Sequence, residues 1–237
     1  MEEAIEVKEN EDQWCFTWLA GHELASGQDR GALVKDEAWP SGKRITVGFL
    51  DGEEELWDKV MRFAQQWTTF DTANLTFIDQ KHVDRGTQIR ISFQYSGSWS
   101  VIGKSCTNIT DPTKPTMNFG WLTPQSSDDE IRRVVLHEFG HAVGLIHEHQ
   151  NPGGRINWNR QAVIHDLSGP PNNWSLDVIE RNMFEPWEKS ETNFTELDPR
   201  SIMMYPIPKR WTTDGFSVGL NSDLSSTDKR FIHLQYH

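Results

Sequence analysis

Between His137 and Gln150 the chain reads HEFGHAVGLIHEHQ, which puts four histidines and two glutamates into one short segment, with Gly144 between the second and third histidines. On a helix, residues four apart share a face, so His137 and His141 can aim both imidazoles at one point. Such a pair can hold a single metal ion. Glu138, one residue on, can reach a water on that ion without being a ligand. A catalytic zinc takes three protein ligands and keeps one position open. His147 supplies the third if the helix stops first, and Gly144 permits the stop, because glycine adopts the left-handed conformation that ends a helix and turns the chain back. The chemistry expected is hydrolysis at one catalytic Zn2+: the ion lowers the pKa of a bound water to about 7 and polarises a carbonyl, while Glu138 takes the proton as general base. The oxyanion so formed needs a further donor. Two plainer readings compete, surface histidines on an amphipathic helix and a closed structural zinc site. A glutamate left over beside three histidines favours the open, catalytic kind.

The elements that must hold this segment are legible in outline. Arg44 to Leu50 reads as a strand closed by the turn signal Asp51-Gly52. Leu56, Trp57, Val60, Met61, Phe63, Ala64 and Trp67 follow helical spacing, which predicts an amphipathic helix over Glu53 to Thr68. Leu75 to Asp79 and Ile89 to Phe93 read as further strands, and a short apolar strand lies in GSWSVIGKSC. Ser127, with Glu130 three residues on, predicts a capping box at the start of the helix that carries His137 and His141. Beyond Gly144 the chain becomes looser, with Asn151-Pro152-Gly153-Gly154 and Gly169-Pro170-Pro171, until a last helix near Thr227 to Leu234.

Composition narrows the function classes. With 237 residues, 36% hydrophobic and 24% charged, the chain is long enough to bury a core without staples. A formal net charge of -12 argues against a nucleic-acid groove. No apolar run is long enough for a membrane helix. The acidic start MEEAIEVKENEDQ is not a signal peptide, so the location is open between a leaderless chain and a secreted one whose leader has been removed. A monomer is expected. Cys15 and Cys106 are the only cysteines, one bridge or two free thiols. Trp57 and Trp67 read as core, Trp99 and Trp121 as possible walls of a cleft, and His149 as a loop residue or a neighbour of the ligands.

On His137, Glu138, His141, Gly144 and His147 the sequence resembles the metzincin clan of zinc peptidases. It is most similar to the astacin family, because Glu148 follows the third histidine directly. SIMMY, Ser201 to Tyr205, resembles that family's methionine turn. The resemblance places Met203 beneath the metal and gives Tyr205 the role of stabilising the oxyanion; Met204 stands where astacins commonly carry histidine. GSWSVIG resembles the edge strand on the rim of the cleft, so Trp99, Ser100, Val101 and Ile102 are expected to bind an extended peptide antiparallel to themselves. Arg155 to Val163 and Leu224 to Tyr236 are similar to the start of the lower subdomain and to the C-terminal helix.

The fold implied is α+β and zincin-like: a twisted, five-stranded mixed sheet with helices, a zinc cleft, and a small irregular C-terminal subdomain. Residues 1–30 would be an extension or a pro-segment, 31–147 the upper catalytic subdomain with the zinc-binding helix, and 148–237 the lower subdomain with the methionine turn. The resemblance also implies that Glu148 pairs with an amine released by cleavage at Arg30–Gly31. Asp29 and Cys15 are both plausible occupants of the open zinc position before cleavage. The function implied is a zinc endopeptidase acting on extended protein or peptide substrates. The competing reading is an inactive relative that holds a partner through the cleft and edge strand.

Overall fold

The computed structural model describes residues 15–18, 33–170, 172–186 and 192–237. In chain order its elements are β1 (Cys15–Trp18), β2 (Leu33–Val34), β3 (Arg44–Phe49), α1 (Glu54–Ala64), β4 (Thr76–His82), β5 (Ile89–Ser92), β6 (Ser98–Val101), β7 (Met117–Phe119), α2 (Asp128–Ala142), α3 (Arg160–Ser168), α4 (Leu176–Ile179), β8 (Thr192–Asn193) and α5 (Ser226–Tyr236). β-branched and aromatic residues alternate along β3, so Ile45, Val47 and Phe49 are buried together. The main sheet runs in the order β1-β6-β7-β5-β3-β4. Only the β6–β7 pairing is antiparallel. β2 and β8 form a separate antiparallel pair.

The strands β3 to β7 make the five-stranded mixed sheet read from the sequence, and β1 adds a sixth. β1 lies parallel to β6, with Cys15 opposite Ser98 and Trp18 opposite Val101. In this chain β6 is therefore not the open edge that the sequence led us to expect. An unpaired strand offers a row of N–H and C=O groups, and Phe16, Thr17 and Trp18 are the residue types that pair readily in a sheet.

α1 and α2 pack against each other and against the sheet. The apolar stripe of α1 is buried as its spacing demands, but the helix is shorter than its pattern. It tightens after Ala64 into a 3-10 turn over Gln65–Thr68, where buried Trp67 donates its indole N–H to Leu136 O at 2.8 Å. At the start of α2, Ser127 accepts the Glu130 N–H. The expected return bond from the Glu130 side chain is replaced, because that carboxylate accepts from Arg133 and Trp121 instead.

From Leu136 to Ala142 every residue of α2 is buried. A helix end inside protein must have its last carbonyls satisfied. Trp39 donates its indole N–H to Ala142 O at 2.8 Å, and the Tyr236 hydroxyl donates to Val143 O at 2.7 Å while accepting from Trp39 N at 3.2 Å. The first core spans the sheet, α1 and α2, and takes in Met203 together with Ile232 and Tyr236 of α5. A second core gathers Val163, Leu167, Trp174, Ile179 and Met183 around Met204, Tyr205, Ile207 and Trp211. The seam between them runs through the methionine turn.

Replacing Tyr236 by Phe orphans the Val143 carbonyl and the Trp39 N–H, both buried. The expected cost is about 1–3 kcal/mol, measured as a drop in the urea midpoint with unchanged m-value; a midpoint equal to wild type would show that this carbonyl has another partner.

Candidate metal centre

α2 delivers His137 and His141 on one face, and the way it ends delivers His147. Gly144 has φ 100°, its N–H bonds to His141 O at 2.8 Å, and Leu145 N–H bonds to Gly140 O at 2.9 Å. This pair of bonds is the Schellman closure, which needs a left-handed residue at its corner. The reversed chain then carries His147 back over α2. The ligand atoms of His137, His141 and His147 lie within 4.8 Å of one another, and all three residues are buried. Among the described residues they form the cluster suited to a metal.

The ring orientations fit an ion. His137 Nδ1 lies 2.8 Å from Ile202 O and His141 Nδ1 lies 2.8 Å from Leu145 O. A carbonyl only accepts, so each Nδ1 carries the proton and each Nε2 keeps a lone pair. His137 Nε2 is buried without a hydrogen-bond partner among the described residues. Three imidazoles converging with an orphaned nitrogen fit a zinc ion, which those three side chains would hold.

Glu138 is fully buried beside the cluster. Tyr205 is also buried, its ring 4.1 Å from that of His147 and 4.5 Å from that of His149. Tyr205 is thus packed between two histidines. His149 is held in turn by its Nε2–H, which donates to Asn182 O at 2.7 Å.

Two solved structures of myroilysin match this chain. One is 43% identical and covers 86% of this chain and 98% of its own, with a TM-score of 0.81. The other is 38% identical, covers 94% and 90%, and has a TM-score of 0.66. The chain belongs to the myroilysin family of metalloproteases. No protein-family model matches it, and no curated protein does.

In this myroilysin-family chain Met203 and Glu148 lie next to the metal group, and the other residues singled out from the sequence are spread more widely. The methionine turn runs beneath it: Ile202 O receives His137, and Met203 O receives Glu148 N–H at 2.9 Å. Glu148 Oε1 accepts from Asp198 N and from the Asn151 amide, each at 2.9 Å. Burial pushes the Glu148 carboxyl up to about 7, against the pull of those two donors. Ser100, Val101 and Ile102 are buried at β6 and just beyond it, and Trp99 meets Tyr95 edge to face at 6.3 Å. Trp121 lines a cleft next to His137 and Glu138. Cys106 is a free, buried thiol pushed up to about 12 by burial, so the bridge to Cys15 is not formed. Asp29 and the Arg30–Gly31 bond lie outside the described residues, and so does the side chain of Cys15.

Two supporting residues escaped the sequence reading. Gly140 sits where a Cβ would overlap Met203 Sδ, so the glycine inside the motif is what lets the methionine pack against α2. Asp228 accepts from Ser201 Oγ at 2.6 Å and from Ile202 N and Ser225 N at 2.9 Å each. It caps α5 and anchors the methionine turn at once. Its signal was present as Ser225-x-x-Asp228, a capping pattern.

Gly140→Ala should destabilise the fold by about 1–3 kcal/mol through overpacking at Met203, and it should weaken zinc binding, read by chelator competition. Wild-type affinity in a stable variant would sever Met203 from the metal. The metal-free protein should lose stability in acid. Burial lowers the pKa of His137 and of His149 to about 4, and it holds His141 and His147 well below the usual value. Unfolded histidines protonate near 6.5, so below that pH the unfolded state binds more protons and stability falls as pH drops from about 6.5 through 4. Denaturant titrations across that range should show the loss; a flat profile would contradict it.

Proposed function

We propose that this chain is a zinc-dependent endopeptidase that hydrolyses peptide bonds of extended protein or peptide substrates, with astacin-like details in Glu148 and Tyr205. The observation that carries the proposal is the convergence of three neutral imidazoles with buried Glu138 and with the Tyr205 ring packed at 4.1 Å against the third. When bound, zinc supplies a Lewis acid and lowers the pKa of a water to about 7. His137, His141 and His147 hold it, each through its unprotonated nitrogen. Glu138 accepts the proton of the attacking water and returns it to the leaving amine. Tyr205 gives its hydroxyl proton as a hydrogen bond to the oxyanion, and its ring is kept from swinging freely by His147 and His149. The inactive-relative reading draws no support from the site, where every group this chemistry needs is present.

The same proposal makes residues 1–30 a pro-segment. β1 lies on β6, the strand that a substrate would extend, which supports a blocked intact chain. Glu148 faces a cavity that Phe194 and Thr195 also line, and those two residues follow directly on β8, the partner of Leu33–Val34. A chain beginning at Gly31 starts two residues before that pairing.

Glu138→Ala should keep one zinc per chain and lose cleavage of casein by about 10²–10⁴-fold. Tyr205→Phe should lower kcat about 10²-fold with a smaller change in KM. The 31–237 form should turn over at least tenfold faster than the intact chain. Zinc bound with no cleavage by either form would overturn the peptidase reading, and equal turnover by the two forms would remove the pro-segment.

A further inference from the structure

Next to the metal group a cleft partly open to solvent runs between α2 and the chain of the methionine turn and beyond. His137 and Glu138 are among its lining residues, so whatever fills the cleft sits beside the bond being cut. Val134, Pro206 and Leu220 give it apolar walls, and Trp121 stands among them. One cation, Arg133, also lines it, with its side chain 17% exposed.

That cation is not available as a bare charge. Arg133 Nε donates to Glu130 Oε2 at 3.0 Å and Nη2 donates to Glu130 Oε1 at 2.7 Å, a two-pronged pair. Trp121 donates its indole N–H to the same Oε1 at 2.9 Å, which fixes the carboxylate in place. The guanidinium on this wall is therefore neutralised by the carboxylate it is paired with. Guanidinium N–H groups beyond the two spent on Glu130 remain as donors. An apolar side chain, or one ending in a neutral acceptor, meets this wall without loss. An acidic side chain meets the carboxylate of Glu138 and a guanidinium already neutralised by Glu130, and a basic one meets a guanidinium that can only donate.

We propose that this cleft receives the substrate side chain flanking the scissile bond, and that Glu130, by neutralising Arg133, makes the cleft select neutral side chains and reject acidic ones. The inference rests on the peptidase reading above and names the substrate class for that site. Glu130 and Arg133 set specificity; they do not touch the reacting atoms. The pair is three residues apart on α2, and its second role as an ordinary helix-surface ion pair is worth little to stability when exposed.

The test is a peptide series carrying Leu, Gln, Glu or Lys on either side of the scissile bond, cleaved by the zinc-loaded 31–237 protein and by the intact chain. Wild type should prefer Leu and Gln to Glu by at least tenfold in kcat/KM. Glu130→Gln keeps an acceptor for Trp121 and unmasks the guanidinium, so the Glu-to-Gln ratio should rise at least tenfold. Adding Arg133→Met to that variant should abolish the rise. Arg133→Met alone should improve Lys peptides relative to Leu, which tests the wall independently should Glu130→Gln fold poorly. Retained cleavage with the same ratios in all variants would overturn this inference and leave the peptidase reading standing. No cleavage of any peptide by either wild-type form would overturn both.

Discussion

α2 has to end while buried, and the way it ends organises the rest of the molecule. A buried helix terminus leaves carbonyls that water cannot reach. The closure at Gly144 satisfies His141 O and Gly140 O from within the turn. Trp39 and Tyr236, from opposite ends of the described chain, satisfy Ala142 and Val143. The same turn puts Leu145 O on the Nδ1 of His141, which turns that ring's Nε2 toward the metal side. It also returns the chain so that His147 faces His137 and His141. Backbone satisfaction and metal geometry are solved by one set of contacts.

The second support is the methionine turn, where the two cores meet. Met203 belongs to the first core and Met204 and Tyr205 to the second, so this short stretch holds the halves in register beneath the metal. Its carbonyls hold the His137 ring and the Glu148 backbone, and its own N–H at Ile202 is held by Asp228 from α5. The C-terminal helix is thereby tied to the first ligand through Asp228 and Ile202. Gly140 leaves the space for this, and the polar supports lie outside the ligand set, as in metal sites where outer partners orient the ligands.

Much of this was legible in the sequence. The spacing of His137, His141, Gly144 and His147 states a helix, a stop and a return, and each step has a local physical cause. The strands at Ile45, Val47 and Phe49 and at Ile89 and Ile91 could be read because burial on one sheet follows from residue type. What could not be read depended on partners distant in the chain. The CFTW strand is short and embedded in an acidic stretch, and only its pairing with Ser98–Val101 gives it form. Trp39 and Tyr236 act on carbonyls about a hundred residues away. Glu130 looked like half of a capping box, but Arg133 and Trp121 compete for its carboxylate and win with charge-assisted bonds.

One turn has to place three neutral imidazoles around one ion. X-ray absorption and anomalous scattering at the zinc edge, on crystals of the zinc-loaded protein, test that most directly. The prediction is one ion per chain, bound by nitrogens of His137, His141 and His147 at about 2.0–2.1 Å, with a fourth position not filled by those residues. An ion held elsewhere, or by two of the three histidines only, would contradict it.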